Sequence, residues 1–340
     1  MIKKVRVGQA EGLVLAHDVA GKQGELDVGI ILPKGRVLRK SDVITLLGAG
    51  VERVYVTDGI QDDVNEVDAS ARLASAFSGS NVHVSDVEEG RINFLASCDG
   101  ILKINTSLLS SINSIDGVVL FTLHNNSICS SDMVVAGTKI IPASIPESVL
   151  LQVEELCGND DKVISVKPFT RCSLGVIVVG DNSADRSVSR KYSSAISSKA
   201  GLLGANVVDT IAAGNDEEAI SEAILVMLRK GVGVILICGG LSVNPNHVTL
   251  EGIVRSGATI VSSGVPVMPG SMSVVAYLDN VPLIGVPSCF LRNKATVVDV
   301  LLARSVAGDI ISKIEIASLG HGGMCTGCKV CAYPNCSFLK

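Results

Sequence analysis

Tryptophan is absent and other aromatics are scarce: six Phe and four Tyr among 340 residues. A core without large rings must be filled by Val, Ile, Leu and Ala. With 34 Gly, that vocabulary predicts buried parallel strands covered by helices. Long apolar runs are also missing. VVLFTL (118–123) and VGVILIC (232–238) fall far short of the ~20 residues of a spanning helix, so they read as core strands and no membrane association is expected. Nor is there an excess of basic charge. The formal net charge of -5 argues against nucleic acid or an anionic membrane as partner. MIKKVRVGQAEG has lysines without an apolar run behind them, so no secretory leader is expected. A cytoplasmic location with reduced thiols follows as an expectation.

What is present includes ten cysteines. Cys98, Cys129, Cys157, Cys172, Cys238 and Cys289 are scattered and read as small buried hydrophobes. Cys325, Cys328, Cys331 and Cys336 lie together in CTGCKVCAYPNC with gaps of two, two and four residues. Four thiolates at that density can close a tetrahedral shell around zinc or hold an iron–sulfur cluster; a metal-free segment is the plain alternative. His321, in GHGG just upstream, reads as an exposed residue.

The length predicts two or three domains. From Leu174 onward short apolar runs alternate with helical stripes. LGVIVVG (174–180), NVVDTI (206–211), VGVILIC (232–238), ATIVSS (258–263) and the pair within 273–287 read as strands. SVSRKYSSAISSKAGLLG (187–204), a segment capped by Asp216 and stopped at Gly231, a short segment from Thr249, and a last one with Val297, Val298, Leu301 and Leu302 read as helices. The fold class expected is α/β, a mostly parallel sheet with helices on both faces. Before it stands a mixed α+β or β-rich region. The expected domains are 1–60, with a helix SDVITLLGAG capped by Ser41 or Asp42; 61–170, mostly strands and turns with a helical connection from PASIPE; 171–315, the α/β domain; and 316–340, the cysteine-rich segment.

Ligands of such sheets lie off the carboxyl ends of the strands, which singles out Gly180–Arg186, Gly239–Thr249 and Gly285–Lys294. The stretch CGGLSVNPNHVTLEG (238–252) has no dinucleotide or P-loop fingerprint, yet a small-residue loop before a helix suits an anion. Its GG, SVNP and HVT resemble the G-G-x-x-V-x-P-x-D-V-T loop of the molybdopterin-binding fold shared by MoeA-type and MoaB-type proteins. VVGDNSAD (178–185) resembles the T-G-D-E or T-G-S-E loop of that fold, and VMPGSMSVVAYLDNVPLIGVPSCF (267–290) its P-G segment and G-L-P-G turn. The opening RVGQAEGLVLAHDV and the ending GHGGMCTGCKVCAYPNCSF extend the likeness to a subgroup described as molybdopterin-binding proteins.

The resemblance implies a site for molybdopterin or its adenylylated form. Gly239, Gly240, Leu241 and Ser242 would surround the phosphate, glycine being needed where the anion comes close. Gly285, Pro287 and Ser288 would form the opposing wall, with Arg292 or Lys294 neutralising charge, and Gly180, Asp181, His247, Thr249, Pro269, Gly270 and Ser271 are the further residues implied to bind the cofactor. The family's acidic positions are His247 and Asn182 here, leaving Asp181 as the candidate catalytic acid. Mg²⁺ prefers carboxylate oxygen, so the reading is binding without turnover: a carrier, insertion factor or sensor in molybdenum cofactor metabolism. The alternatives are a Mg-dependent molybdopterin adenylyltransferase or molybdate-inserting transferase, and a redox-responsive metal-binding interaction protein. Implied partners are the pterin, a molybdenum or tungsten enzyme, and further copies of the chain. Each residue also has a plain reading: Asp181 caps a turn, Thr249 caps the helix after it, and His247, Arg292 and Lys294 are solvated.

Overall fold

The structure, a computed structural model, describes residues 2–23, 26–57, 63–88, 90–141, 143–158, 162–180, 186–241 and 248–339. It divides into two compact units, one of residues 1–96, 104–123 and 133–165, the other of 97–103, 124–132 and 166–340.

The first unit begins with β1 (Ile2–Arg6), β2 (Val14–Leu15), β3 (Val19–Gln23), β4 (Leu26–Leu32), α1 (Lys40–Gly48) and β5 (Arg53–Thr57). β5 pairs antiparallel with β1 and β2, and β3 with β4. Val7, Leu15, Leu38, Leu46, Val54 and Val56 fill the core between them. The α1 cap differs from expectation. Arg39 is the N-cap, and Asp42 stands at the third helical position, where its carboxylate accepts from Arg39 N (3.0 Å) and from the Arg36 guanidinium (2.8 Å).

The chain continues through β6 (Asp63–Asn65), α2 (Glu66–Phe77), β7 (Val82–Val84), β8 (Arg91–Ala96), β9 (Gly100–Ile104), α3 (Thr106–Asn113), β10 (Val118–Thr122), β11 (Ile128–Cys129), β12 (Val134–Ile140), β13 (Ser144–Pro146) and α4 (Glu147–Cys157). β10, β12, β8 and β7 form an antiparallel sheet in that order. The expected strands are present, and α4 is the expected helical connection. α3 stands where a turn between strands was expected, and α2 lies where no element was assigned within the β-rich region. α2 is started by Asn65, whose side chain accepts from Val67 N and Asp68 N, and it buries Leu73 and Phe77.

The second unit holds the six-stranded sheet that positions the candidate site. After β14 (Ile164–Pro168) come β15 (Ser173–Val179), α5 (Arg186–Gly201), β16 (Asn206–Ala213), α6 (Glu217–Arg229), β17 (Val234–Cys238), α7 (Thr249–Arg255), β18 (Thr259–Ser263), β19 (Val274–Leu278), β20 (Val281–Val286), α8 (Val297–Val306) and α9 (Lys313–Ser318). The strand order is β16-β15-β17-β20-β19-β18; the first four are parallel, and β19 runs antiparallel to both neighbours. Period-2 alternation of wholly apolar strands sends side chains to both faces. Leu174, Val176, Val178, Val234 and Leu236 join Tyr192 and Ile196 of α5 and Val298, Leu301 and Leu302 of α8. Ile177, Val179, Ile235 and Ile237 join Ile220, Ile224 and Met227 of α6 and Ile253 of α7. Burying each such side chain contributes about 1.5–3 kcal/mol, which is why this sheet needs no aromatic core. Asp216 caps α6 as expected, accepting from Ala219 N at 2.8 Å. Among the described residues no helix is long and apolar enough to cross a membrane.

Candidate functional site

Parallel strands put their carboxyl ends on one edge. The register aligns Val179 with Ala213, Val178 with Cys238, and Cys238 with Val286, so Gly180, Gly239 and Pro287 each leave the sheet at that edge. Antiparallel β19 starts there too, because Val274 pairs with Gly285, and it brings the preceding 269–273 segment along. All three regions marked in the sequence therefore emerge together. Gly180, Ser288, Arg292 and Lys294 are exposed; Gly239, Gly240, Pro269 and Ser271 are half-buried; Leu241, Thr249, Gly270, Gly285 and Pro287 are buried. Asp181, Ser242 and His247 lie outside the described residues, as do Asn182 and Asn246.

The glycines are explained by the chain itself. Gly239 and Gly240 follow one another at φ +95° and +63°, the left-handed region open to glycine. A Cβ on Gly239 would stand 2.7 Å from Val179 O, and one on Gly240 would run into the Thr249 hydroxyl. Packing and backbone conformation within the chain thus account for both glycines without a ligand, and the expectation that an anion approaches them stays a proposal. The structure corrects the reading of Thr249 as a cap: Val248 is the N-cap, and Thr249, wholly buried in the first turn of α7, donates to Gly239 O at 3.4 Å. Leu241 turns its side chain into the core, and a Cβ on Gly285 would meet Leu241 Cδ1 at 2.9 Å. The space over Gly285 belongs to Leu241, so Gly285 offers the edge a close-packed floor.

The facing wall is similarly tied. Gly270, at φ +123°, lies so close to α8 that a Cβ would meet Val297 Cγ1 at 2.7 Å, and Val297 N donates to Pro269 O at 3.3 Å. Ser273 N donates to Gly270 O at 2.9 Å. After Pro287 a 3-10 turn over Ser288–Leu291 is closed by Phe290 N donating to Pro287 O at 3.0 Å. The segment then passes α5, where Lys199 Nζ donates to Lys294 O (2.8 Å), pairs with Asp299 and lies over the Phe290 ring, 5.3 Å from its centroid. Thr296 and Asp299 cap α8 reciprocally. Lys199 carries no signal in the sequence, because a lysine in the last turn of a helix is ordinary there.

Charge and protonation limit the chemistry. Burial holds the Cys238 thiol, the last residue of β17, far above the usual thiol range, and pushes Cys289 upward as well. Neither is a thiolate nucleophile near neutral pH. The Tyr192 phenol, also buried, is pushed up to about 12 and stays protonated. Among its described residues the edge offers main chain, the hydroxyls of Ser271 and Ser288, the prolines 269 and 287, and the exposed cations Arg292 and Lys294.

A family model described as a probable molybdopterin binding domain matches residues 175–304. Residues 175–304 form a domain of the molybdopterin-binding family. A second family model, a domain of unknown function, matches residues 4–58. No curated protein matches the chain. Among solved structures, the MoaB molybdopterin biosynthesis enzyme of Thermus thermophilus is 16% identical over 39% of this chain and 88% of its own, with a TM-score of 0.30. The molybdopterin biosynthesis Mog protein of Mycobacterium ulcerans is 16% identical over 39% and 91%, with a TM-score of 0.30. The molybdopterin biosynthesis MoeA protein of Pyrococcus horikoshii is 12% identical over 90% and 75%, with a TM-score of 0.31. Scores this low decide nothing about the site. The molybdopterin-binding domain spans β15 to α8 and so contains every strand end of the candidate edge.

The cysteines expected to ligate a metal lie beyond that domain, after α9. Cys325 and Cys336 are half-buried and pack on the sheet's larger core cluster, while Cys328 and Cys331 are exposed. Among the described residues no three His, Cys, Asp or Glu side chains are grouped to hold a metal ion.

Proposed function

We propose that the carboxyl edge of the six-stranded sheet binds molybdopterin or a phosphorylated pterin precursor, and that the protein serves as a carrier, insertion factor or sensor in molybdenum cofactor metabolism. The observation that carries this reading is the convergence of four chain segments on one edge within the molybdopterin-binding domain. There Gly239 and Gly240 are consecutive, left-handed and half-buried, and turned main chain of this kind suits phosphate oxygens. Arg292 supplies positive charge, and Pro269 and Pro287 supply flat apolar contact for a ring. Because Leu241 fills the space over Gly285, the ligand docks on the outer face of these loops.

Calorimetry with molybdopterin released from a molybdenum enzyme, and with a simple pterin phosphate, tests the reading. Saturable binding is expected. Absence of heat with folded protein removes it. Product formation dependent on ATP and Mg²⁺, or on molybdate, replaces it with the transferase alternative.

A further inference from the structure

After α9 the chain closes on itself. Leu339 N donates to Gly322 O (2.9 Å), and Phe338 is buried in the core cluster, with Tyr333 edge-on to it at 6.1 Å between ring centroids. Gly323 slots under the chain, where a Cβ would meet Pro266 O at 2.7 Å. Beside this neck runs a short parallel bridge: Met268 N donates to Gly323 O (2.8 Å) and Cys325 N to Met268 O (2.9 Å). The neck is thus fastened to the residue before Pro269–Gly270, a wall of the candidate edge.

Within the closed loop the backbone runs in turns and bends, with Asn335 N donating to Ala332 O at 2.6 Å. All four cysteines of the CTGCKVCAYPNC motif sit on it, as free thiols. Two are held at the core and two are exposed. Phe338 and the Met268 bridge anchor the loop at its neck, the exposed Cys328 and Cys331 have no such anchor, and four thiols within twelve residues supply the ligands of a metal cross-link.

We propose that Cys325, Cys328, Cys331 and Cys336 bind one thiophilic metal centre, a zinc ion or an iron–sulfur cluster, and that loading fastens the 266–270 segment through the Cys325–Met268 bridge. Cys325 and Cys336 stay where the core holds them, and the exposed Cys328 and Cys331 close toward them. Each thiol that ligates gives its proton to solvent, so loading weakens as pH falls. If the centre is zinc, its shell is closed by protein ligands, which makes it structural. The assignment stands independently of pterin binding.

The test uses the full chain purified without oxygen. About one zinc per chain, or stoichiometric iron with acid-labile sulfide, is expected and distinguishes the two sources. Metal should shield all four cysteines from alkylation and slow hydrogen exchange in a peptide covering 264–273. Cys328→Ser with Cys331→Ser should lose the metal and that slowing while keeping the far-ultraviolet spectrum. If this variant fails to fold, the alkylation pattern of the wild-type chain decides. Metal-free protein that takes up no added Zn²⁺, cysteines found as disulfides, full metal in the double variant, or unshielded thiols in loaded protein would each overturn the assignment.

Discussion

At Gly240 backbone and packing demands coincide. The left-handed φ alone costs a side-chain-bearing residue about 1 kcal/mol, and the new methyl would also displace the buried Thr249 hydroxyl. Gly240→Ala should therefore lose about 2–4 kcal/mol in urea unfolding. Adding Thr249→Ala should recover the steric share and leave the backbone share. A second buried constraint sits at Arg304, 2% exposed, whose guanidinium bonds Asp309 (2.6 Å) and Glu315 (2.5 Å). Lys103 also reaches Asp309 (3.0 Å). Arg304→Leu removes the buried partner of Asp309, which keeps Lys103, and of the partly exposed Glu315, which keeps Ser312, and should cost about 1–3 kcal/mol, read in the same unfolding assay. Burial works against the Asp309 carboxylate, but Arg304 and Lys103 outweigh it and hold its pKa below the ordinary value. Its stabilising share is thus present above the unfolded value of about 4 and is lost as pH falls through the lower folded value. Asp309→Asn should flatten that acid limb. None of these partnerships was legible in the sequence, since a charged residue declares its type there but not its burial.

Elements were legible where apolar periodicity was strong and opaque where serine replaced it. The strands β15, β17, β19 and β20 are runs that only a two-faced sheet can bury, so they and their order of occurrence could be read directly. α3, TSLLSSIN, is only eight residues long and has Ile112 as its one fully buried residue. It is held by the Asn105 cap on Leu108 N (3.1 Å) and by serine hydroxyls bonding back one turn, as Ser110 does to Thr106 O (2.9 Å). α2 is hard to read for a related reason, because four of its six buried residues are the small Ala69, Ser70, Ala74 and Ala76. What fixes α2 against α4 is a charged clamp: Arg72 bonds Glu154 through Nε and one terminal nitrogen (2.8 Å each), and Glu147 through the other (2.8 and 2.7 Å). The partners are about a third exposed, so water and salt screen them. Arg72→Ala should cost about 1 kcal/mol at low salt, and less as ionic strength rises; thermal unfolding across a salt series measures both.

Across the molecule, the candidate edge was readable because strand ends in a parallel sheet must share a side, whatever loops follow them. The occupancy of that edge was not readable. The inward turn of Leu241 and the Gly270–Val297 contact are tertiary events that leave no mark on local spacing. They bear on what a ligand can do to the chain. With the floor already filled and the walls already bonded, binding has little internal rearrangement to drive and acts mainly by immobilising exposed main chain. A pterin phosphate present at a hundred times its dissociation constant stabilises its domain by about 2.7 kcal/mol. Hydrogen exchange should then slow in peptides covering 179–180, 238–241, 268–273 and 285–289. Exchange in the four-stranded sheet of the first unit, β10-β12-β8-β7, should stay unchanged. Protection centred on that sheet, or spread evenly over both units, would place the ligand elsewhere. Arg292→Ala should weaken the response about tenfold in ligand concentration if its charge meets the phosphate, a loss of about 1.4 kcal/mol. The same substitution should leave the unliganded exchange pattern as it was, because that side chain is exposed.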